Sequence, residues 1–207
     1  MNAINPAKTE QNAALDATAT GTDSLSKIVA LLKEHGTEPG RTIPPVDQWN
    51  PARCGSMNLT VKANGEWWHE GSKITRQALI KLFASVLWRE PDGNYYLKTP
   101  VEKLEIEVED VPLLVTRIEK LHTDGKDYLT AITQTGDVVV IDAQHPVFLR
   151  DYQGEMRPYI KVRWDLEALI QRSAFYHLLN EGEFVEQDGQ TVVLLNSGDF
   201  AFQLNSD

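Results

Sequence analysis

The chain has little of what usually announces a chemistry. Its 207 residues hold one cysteine, Cys54, which excludes an intrachain disulfide and suits a reducing compartment. No run of about 18 apolar residues occurs, so no transmembrane helix is expected. The N-terminus lacks the apolar stretch of a signal peptide, and we expect a cytoplasmic protein. No glycine-rich phosphate loop is present, because Gly36, Gly40 and Gly55 lack the required spacing. The five histidines, His35, His69, His122, His145 and His177, are scattered singly, so neither a metal nor a cofactor is expected. Cations are scarce: 20 Lys and Arg stand against 30 Asp and Glu, a formal charge of −10. That balance weighs against nucleic acid and anionic membranes as partners.

What the chain does have is a core. Hydrophobic residues make up 42% of it, and its 207 residues are enough for one ordinary domain or two small ones. Residues 1–23 are rich in Ala, Asn and Thr without periodicity and read as a flexible tail. Residues 24–45 read as a short helix, carried by Leu25, Ile28, Val29 and Leu32, then a Pro/Gly-rich linker. From Met57 an α+β pattern begins. Asn58 to Lys62, a turn at Asn64-Gly65, and Glu66 to His69 predict a hairpin. Thr75 to Trp88 predicts a helix, followed by strands at Tyr95 to Lys98, Leu104 to Val108, Leu113 to Leu121, Asp127 to Thr133 and Val138 to Asp142.

The C-terminal third repeats this order. Val147 to Asp151 and Arg157 to Arg163 predict a hairpin, and Leu166 to Leu179 a helix. Strands follow at Glu183 to Glu186, Thr191 to Leu195 and Phe200 to Leu204. Gly65-Glu66 matches Gly154-Glu155, and Ala78-Leu79-Ile80 matches Ala168-Leu169-Ile170 at almost the same offset. The expected fold is therefore α+β. Two similar hairpin–helix–strands repeats with mostly antiparallel sheets pack together, over 46–142 and 143–207.

Several motifs occur in a fixed order. They are Pro44-Pro45 through Trp49-Asn50-Pro51, Cys54-Gly55, Gly65-Glu66-Trp67, and Gly71-Ser72-Lys73-Ile74-Thr75-Arg76. The run Leu82 to Leu87, Thr99-Pro100-Val101-Glu102-Lys103 and Arg157-Pro158-Tyr159 follow, with Val162-Arg163 ahead of Leu166-Glu167-Ala168-Leu169. Through them, residues 44–204 resemble the bacterial domain-of-unknown-function family 1285. Lys73 stands where that family favours proline, and Trp164-Asp165 where it favours small residues. The resemblance implies a two-repeat α+β fold, no established enzymatic activity, and a suggested role in signal transduction.

The strand Arg157 to Trp164 is the most informative local pattern. Alternation places Arg157, Tyr159, Lys161 and Arg163 on one face. Three cations beside a tyrosine could hold a small anionic ligand, a nucleotide or a phosphorylated metabolite, with Arg76 and Lys103 contributing from the first repeat. The competing expectation is a face neutralised by Glu105, Glu107 and Glu109 of the other repeat. Trp49, Trp67 and Trp68 could mark a ligand or partner rim, or lie over a small core. Cys54 reads as a buried, inert thiol, the alternative being a nucleophile beside His69 or His145. Glu107, Glu109 and Asp110 read as an edge strand kept soluble by charge.

These readings lead to a non-enzymatic module that binds a small anionic ligand or regulates a process. The alternatives are a protein-interaction scaffold anchored by the tryptophans, and a cysteine-dependent hydrolase.

Overall fold

The computed structural model describes residues 43–187 and 190–204. The tail over 1–23 and the helix read around Leu25 to Leu32 lie outside the described residues. After a 3-10 turn at Val46–Gln48 come β1 (Arg53–Val61), β2 (Trp67–His69), β3 (Ser72–Lys73), α1 (Gln77–Ser85), β4 (Leu87–Arg89), β5 (Tyr95–Lys98) and β6 (Glu102–Val108). The strands form one sheet in the order β3-β2-β1-β6-β5-β4. Every neighbouring pair is antiparallel except β1 and β6, which run parallel. A parallel pair needs a long crossover, and α1 with the β4–β5 hairpin supplies it. The expected hairpin turn is present: Gly65 takes φ 83°, and its N–H donates to the Lys62 carbonyl at 2.8 Å.

The second sheet holds β7 (Leu113–Thr123), β8 (Lys126–Thr133), β9 (Val138–Val140), β10 (Val147–Tyr152), β11 (Glu155–Arg163) and β12 (Leu166–Ile170). Its order is β10-β11-β12-β7-β8-β9, with β12 parallel to β7 and the other pairs antiparallel. Read from the other edge, this is the first sheet's order with every strand advanced by six. Each sheet is thus two three-strand meanders joined by one central parallel pair. α2 (Arg172–Asn180) and a third sheet of β13 (Glu183–Gln187), β14 (Gln190–Ser197) and β15 (Phe200–Leu204) complete the chain. The third sheet is tied to β8, where the Leu129 N–H donates to Ser197 Oγ at 3.0 Å.

Three expectations need correction. Leu166 to Leu179 is not one helix: Leu166–Ile170 is a strand in parallel register with Leu113 to Val115, and the helix begins at Arg172. The helix expected to reach Trp88 ends at Ser85, because Leu87–Arg89 pairs with β5. The boundary placed between 142 and 143 runs through the second sheet, whose halves lie on both sides of it. Sheet membership changes between Val108 and Leu113 instead. Because Leu166–Ile170 is a strand, the triplet match also fails: Ala78-Leu79-Ile80 lies in α1 and Ala168-Leu169-Ile170 in β12.

Both sheets and both helices feed one apolar cluster. It runs from Leu59, Val61, Trp67 and Phe83 to Leu113, Val115, Ile160, Val162 and Leu178, all nearly or fully buried. No helix among the described residues is long and apolar enough to cross a membrane.

Candidate functional site

β11 sends Arg157, Tyr159 and Lys161 to one side, as strand alternation requires. Their partners across the ladders, Arg150, Phe148 and Glu167, stand on the same side. That side is not open. Tyr159 is fully buried and stacks on Phe148 with ring centroids 5.9 Å apart. Its hydroxyl donates to Asp110 Oδ2 at 2.8 Å. Burial, with the Asp110 charge adding to it, pushes the phenol up to about 12. Arg150 lies 4.1 Å above the Tyr159 ring and donates to Glu167 at 2.7 Å. Arg157 donates to Glu155 at 3.0 Å. Both guanidinium groups also approach Asp110 at 3.6 Å. Asp110, with a side chain only 3% exposed, is therefore compensated by two arginines and a phenol.

Arg163 does not belong to this group. The β11–β12 register shifts between Lys161 and Arg163. One Nη of Arg163 donates to Asp137, and the other to the Ala84 carbonyl at 2.7 Å, at the end of α1. Burial lowers its pKa, and its side chain is only 12% exposed. The stripe is neutralised inside the fold, but not by the residues expected to do it. Glu107 and Glu109 are bound to β1 and the residues just after it, through Thr60 at 3.0 Å and Lys62 at 2.7 Å. The Lys161 side chain alone of the four makes no hydrogen bond or ion pair among the described residues, and it is exposed.

The other expected contributors are dispersed. Arg76 is exposed at the N-terminal cap of α1, with no bond joining it to β11 among the described residues. The Lys103 amine donates to Glu90 at 2.8 Å, which raises the lysine pKa and lowers that of the carboxyl. Trp67 is fully buried against Phe83, with ring centroids 6.2 Å apart, so it is core and not a ligand contact. Trp49 is half-buried and packs against the same core. Trp68 is half-buried and donates to Glu66 at 3.1 Å. Cys54, expected to be buried, is exposed and faces Lys103 across the β1–β6 ladder. No histidine bonds it among the described residues; His145 is instead held by Asp142 at 3.0 Å. No group of three or more metal-ligating side chains occurs among the described residues.

A groove of about 270 Å³ opens beside Lys161. The β4–β5 turn of the first sheet forms one wall with Arg89, Glu90, Pro91 and Gly93, and the second sheet forms the other with Pro146, Phe148, Lys161, Asp165 and Glu167. Glu90 and Glu167 are already bonded to Lys103 and Arg150. Arg89 makes no ion pair among the described residues and lies 5.4 Å over the Tyr95 ring. The uncommitted charges on the groove are therefore Arg89, Lys161 and Asp165. Reading by residue pattern missed Arg89, Arg150 and Asp110. Arg150 carried a usable signal, since the hairpin pairing places it opposite Arg157.

Residues 44–111 match the domain of unknown function (DUF1285), N-terminal domain, and residues 112–204 match the protein of unknown function (DUF1285), C-terminal domain. The chain belongs to this family. A search of curated proteins found no match. Among solved structures, it is similar to a DUF1285 family protein from Silicibacter pomeroyi DSS-3, at 33% identity and TM-score 0.66, over 79% of this chain and 92% of that one. It is also similar to a DUF1285 family protein from Shewanella baltica OS155, at 28% identity and TM-score 0.47, over 60% of this chain and 91% of that one. The change of domain at 111/112 coincides with the change of sheet.

Proposed function

We propose that the chain is a non-catalytic module that holds a small anionic ligand in the groove between its two six-stranded sheets. Arg89 comes from the first sheet and Lys161 from the second. The observation that carries this reading is that these two cations line one groove with no carboxylate among the described residues already bound to either. Charge-assisted bonds to a carboxylate or phosphate are the natural use of such a pair. At about 270 Å³ the groove sits at the small end of ligand sites, which favours a phosphorylated metabolite or carboxylate over a full nucleotide. Because its walls come from both domains, an occupant bridges them. Such an occupant stabilises one relative placement, and that is the physical content of a regulatory role, including one in signal transduction.

Thermal melts against a panel of carboxylates and phosphorylated metabolites test this reading. A ligand at 100 times its dissociation constant adds about 2.7 kcal/mol, a shift of several degrees for a chain of this size. Arg89→Gln with Lys161→Gln should abolish the shift and leave the unliganded midpoint within a few degrees, since neither cation has an ion pair among the described residues and the half-buried Arg89 loses only its contact with the Tyr95 ring, worth about 0.5–1 kcal/mol. A shift that survives in the double variant, or a panel without any response, would sink the proposal. The scaffold alternative has lost one anchor, because Trp67 is enclosed in the core.

A further inference from the structure

Lys98 is placed at odds with its own charge. It ends β5 directly opposite Lys103 of β6, on the face that also carries Tyr96 and its cross-strand partner Trp88. Like charges directly opposed across a ladder destabilise it. Lys103 has Glu90 at 2.8 Å as its counter-charge. The Lys98 ammonium has no hydrogen bond or ion pair among the described residues, although the residue is only 7% exposed. Its one close contact of electrostatic character is the Trp88 ring, whose centroid lies 4.1 Å from Nζ. Lys103 lies 4.8 Å over the Tyr96 ring in the same way. The acidic groups acting on Lys98 are Glu90, already bonded to Lys103, and, more weakly, Asp47.

Two ammonium groups over two aromatic faces thus share a single bound carboxylate. A methionine or leucine at position 98 would suit the fold at least as well, because the lysine is largely buried and its ammonium has no counter-charge of its own among the described residues. The expense has a use if the missing counter-charge arrives from outside. We propose that the Trp88-Tyr96-Lys98-Lys103 face of β4, β5 and β6 is a second anion site, where a carboxylate or phosphate group docks on the Lys98 ammonium. Desolvation lowers the Lys98 pKa in the unliganded protein, and an anion would reverse that shift. The site is separate from the groove, and only Glu90, bonded to Lys103 and lining the groove, adjoins both.

The probes are inorganic phosphate and acetate, titrated at constant ionic strength into the full chain and followed by thermal melting and calorimetry. One or both should raise the wild-type midpoint by a few degrees. Lys98→Met should abolish that response while melting at or above the wild-type midpoint without anion, and Arg89→Gln with Lys161→Gln should retain it. A response to phosphate alone assigns a phosphoryl group, and a response to acetate a carboxylate. An unaltered response in Lys98→Met overturns the site, as does no response to either probe. Loss of the response in the groove variant alone moves the anion to the groove and also overturns it. Should Lys98→Met fail to fold, the Lys98 amine can be titrated by NMR in the wild-type chain. Its pKa rises with added anion if the site is real and stays fixed if it is not.

Discussion

Asp110 is the residue on which the junction turns. It lies between β6 and β7 and takes a hydrogen bond from Tyr159 with two arginines nearby, all from the second sheet or its edge. Tyr159→Phe leaves that buried carboxylate without its 2.8 Å donor, at an expected cost of about 1–3 kcal/mol near neutral pH. The phenol also sets a pH dependence. Its pKa rises from an unfolded value near 10 to about 12 in the fold. The neutral form is therefore favoured by folding. Its contribution is fully present below pH 10 and is lost as pH climbs through 12. Denaturant melts between pH 9 and 12 should show a steepening loss of stability in the wild type that is shallower in Tyr159→Phe. Parallel curves would show that Tyr159 titrates as an ordinary phenol. None of this was legible locally, because Glu-Asp ahead of Pro112 has the composition of a wet edge. What buries Asp110 is the pairing of β7 with β12, and of β12 with β11, brought in from far along the chain.

At the scale of elements, α1 depends on a side chain from the other sheet. Its last carbonyls are satisfied partly by the Val86 N–H and partly by Arg163, whose guanidinium also complements the negative end of the helix dipole. Arg163→Met removes that cap and takes the counter-charge from Asp137, whose side chain is 9% exposed and keeps only the Thr133 and Thr135 hydroxyls, each at 2.9 Å, on its other oxygen. The expected loss is about 3–5 kcal/mol, larger than for any single surface cation. Adding Asp137→Asn should recover part of it, and equal losses in the single and double variants would show that Arg163 acts through the helix cap alone. Substitution of Arg163 is accordingly a test of the fold and not of ligand binding. Elements were legible where turn chemistry is local. The turn at Gly65, at φ 83°, lies where the Asn64-Gly65 hairpin turn is expected. The β11–β12 turn was illegible because Trp164 occupies its positive-φ position, φ 48°, where glycine or asparagine is the usual signal. Without that signal, the apolar residues Leu166, Leu169, Ile170 and Ala174 fall at helical spacing, and the strand and helix on either side of Gln171 merge into one.

The whole molecule explains why the matched sequence segments do not fall on corresponding strands. Two sheets share one strand order, yet α1 interrupts the first between β3 and β4, while the second runs from β9 to β10 through a short loop and places α2 after β12. A comparison that aligns helix with helix therefore slides past the correspondence of the strands. The same architecture makes a thermodynamic prediction. The apolar cluster is continuous between the sheets, and polar bonds cross from one to the other as well, among them Arg163 to Ala84 at 2.7 Å and Gln134 to Gly65 at 3.0 Å. A core shared in this way leaves neither sheet with an independent reason to stay folded. Calorimetry should give one transition whose van't Hoff and calorimetric enthalpies agree, and residues 44–111 expressed alone should show no cooperative melt. Two resolved transitions, or a cooperative melt of the fragment, would make the domains independent folding units. In that case a ligand bridging Arg89 and Lys161 would act by joining two stable bodies. With one transition it acts on a single body, and every ligand-induced shift is then read on the whole chain.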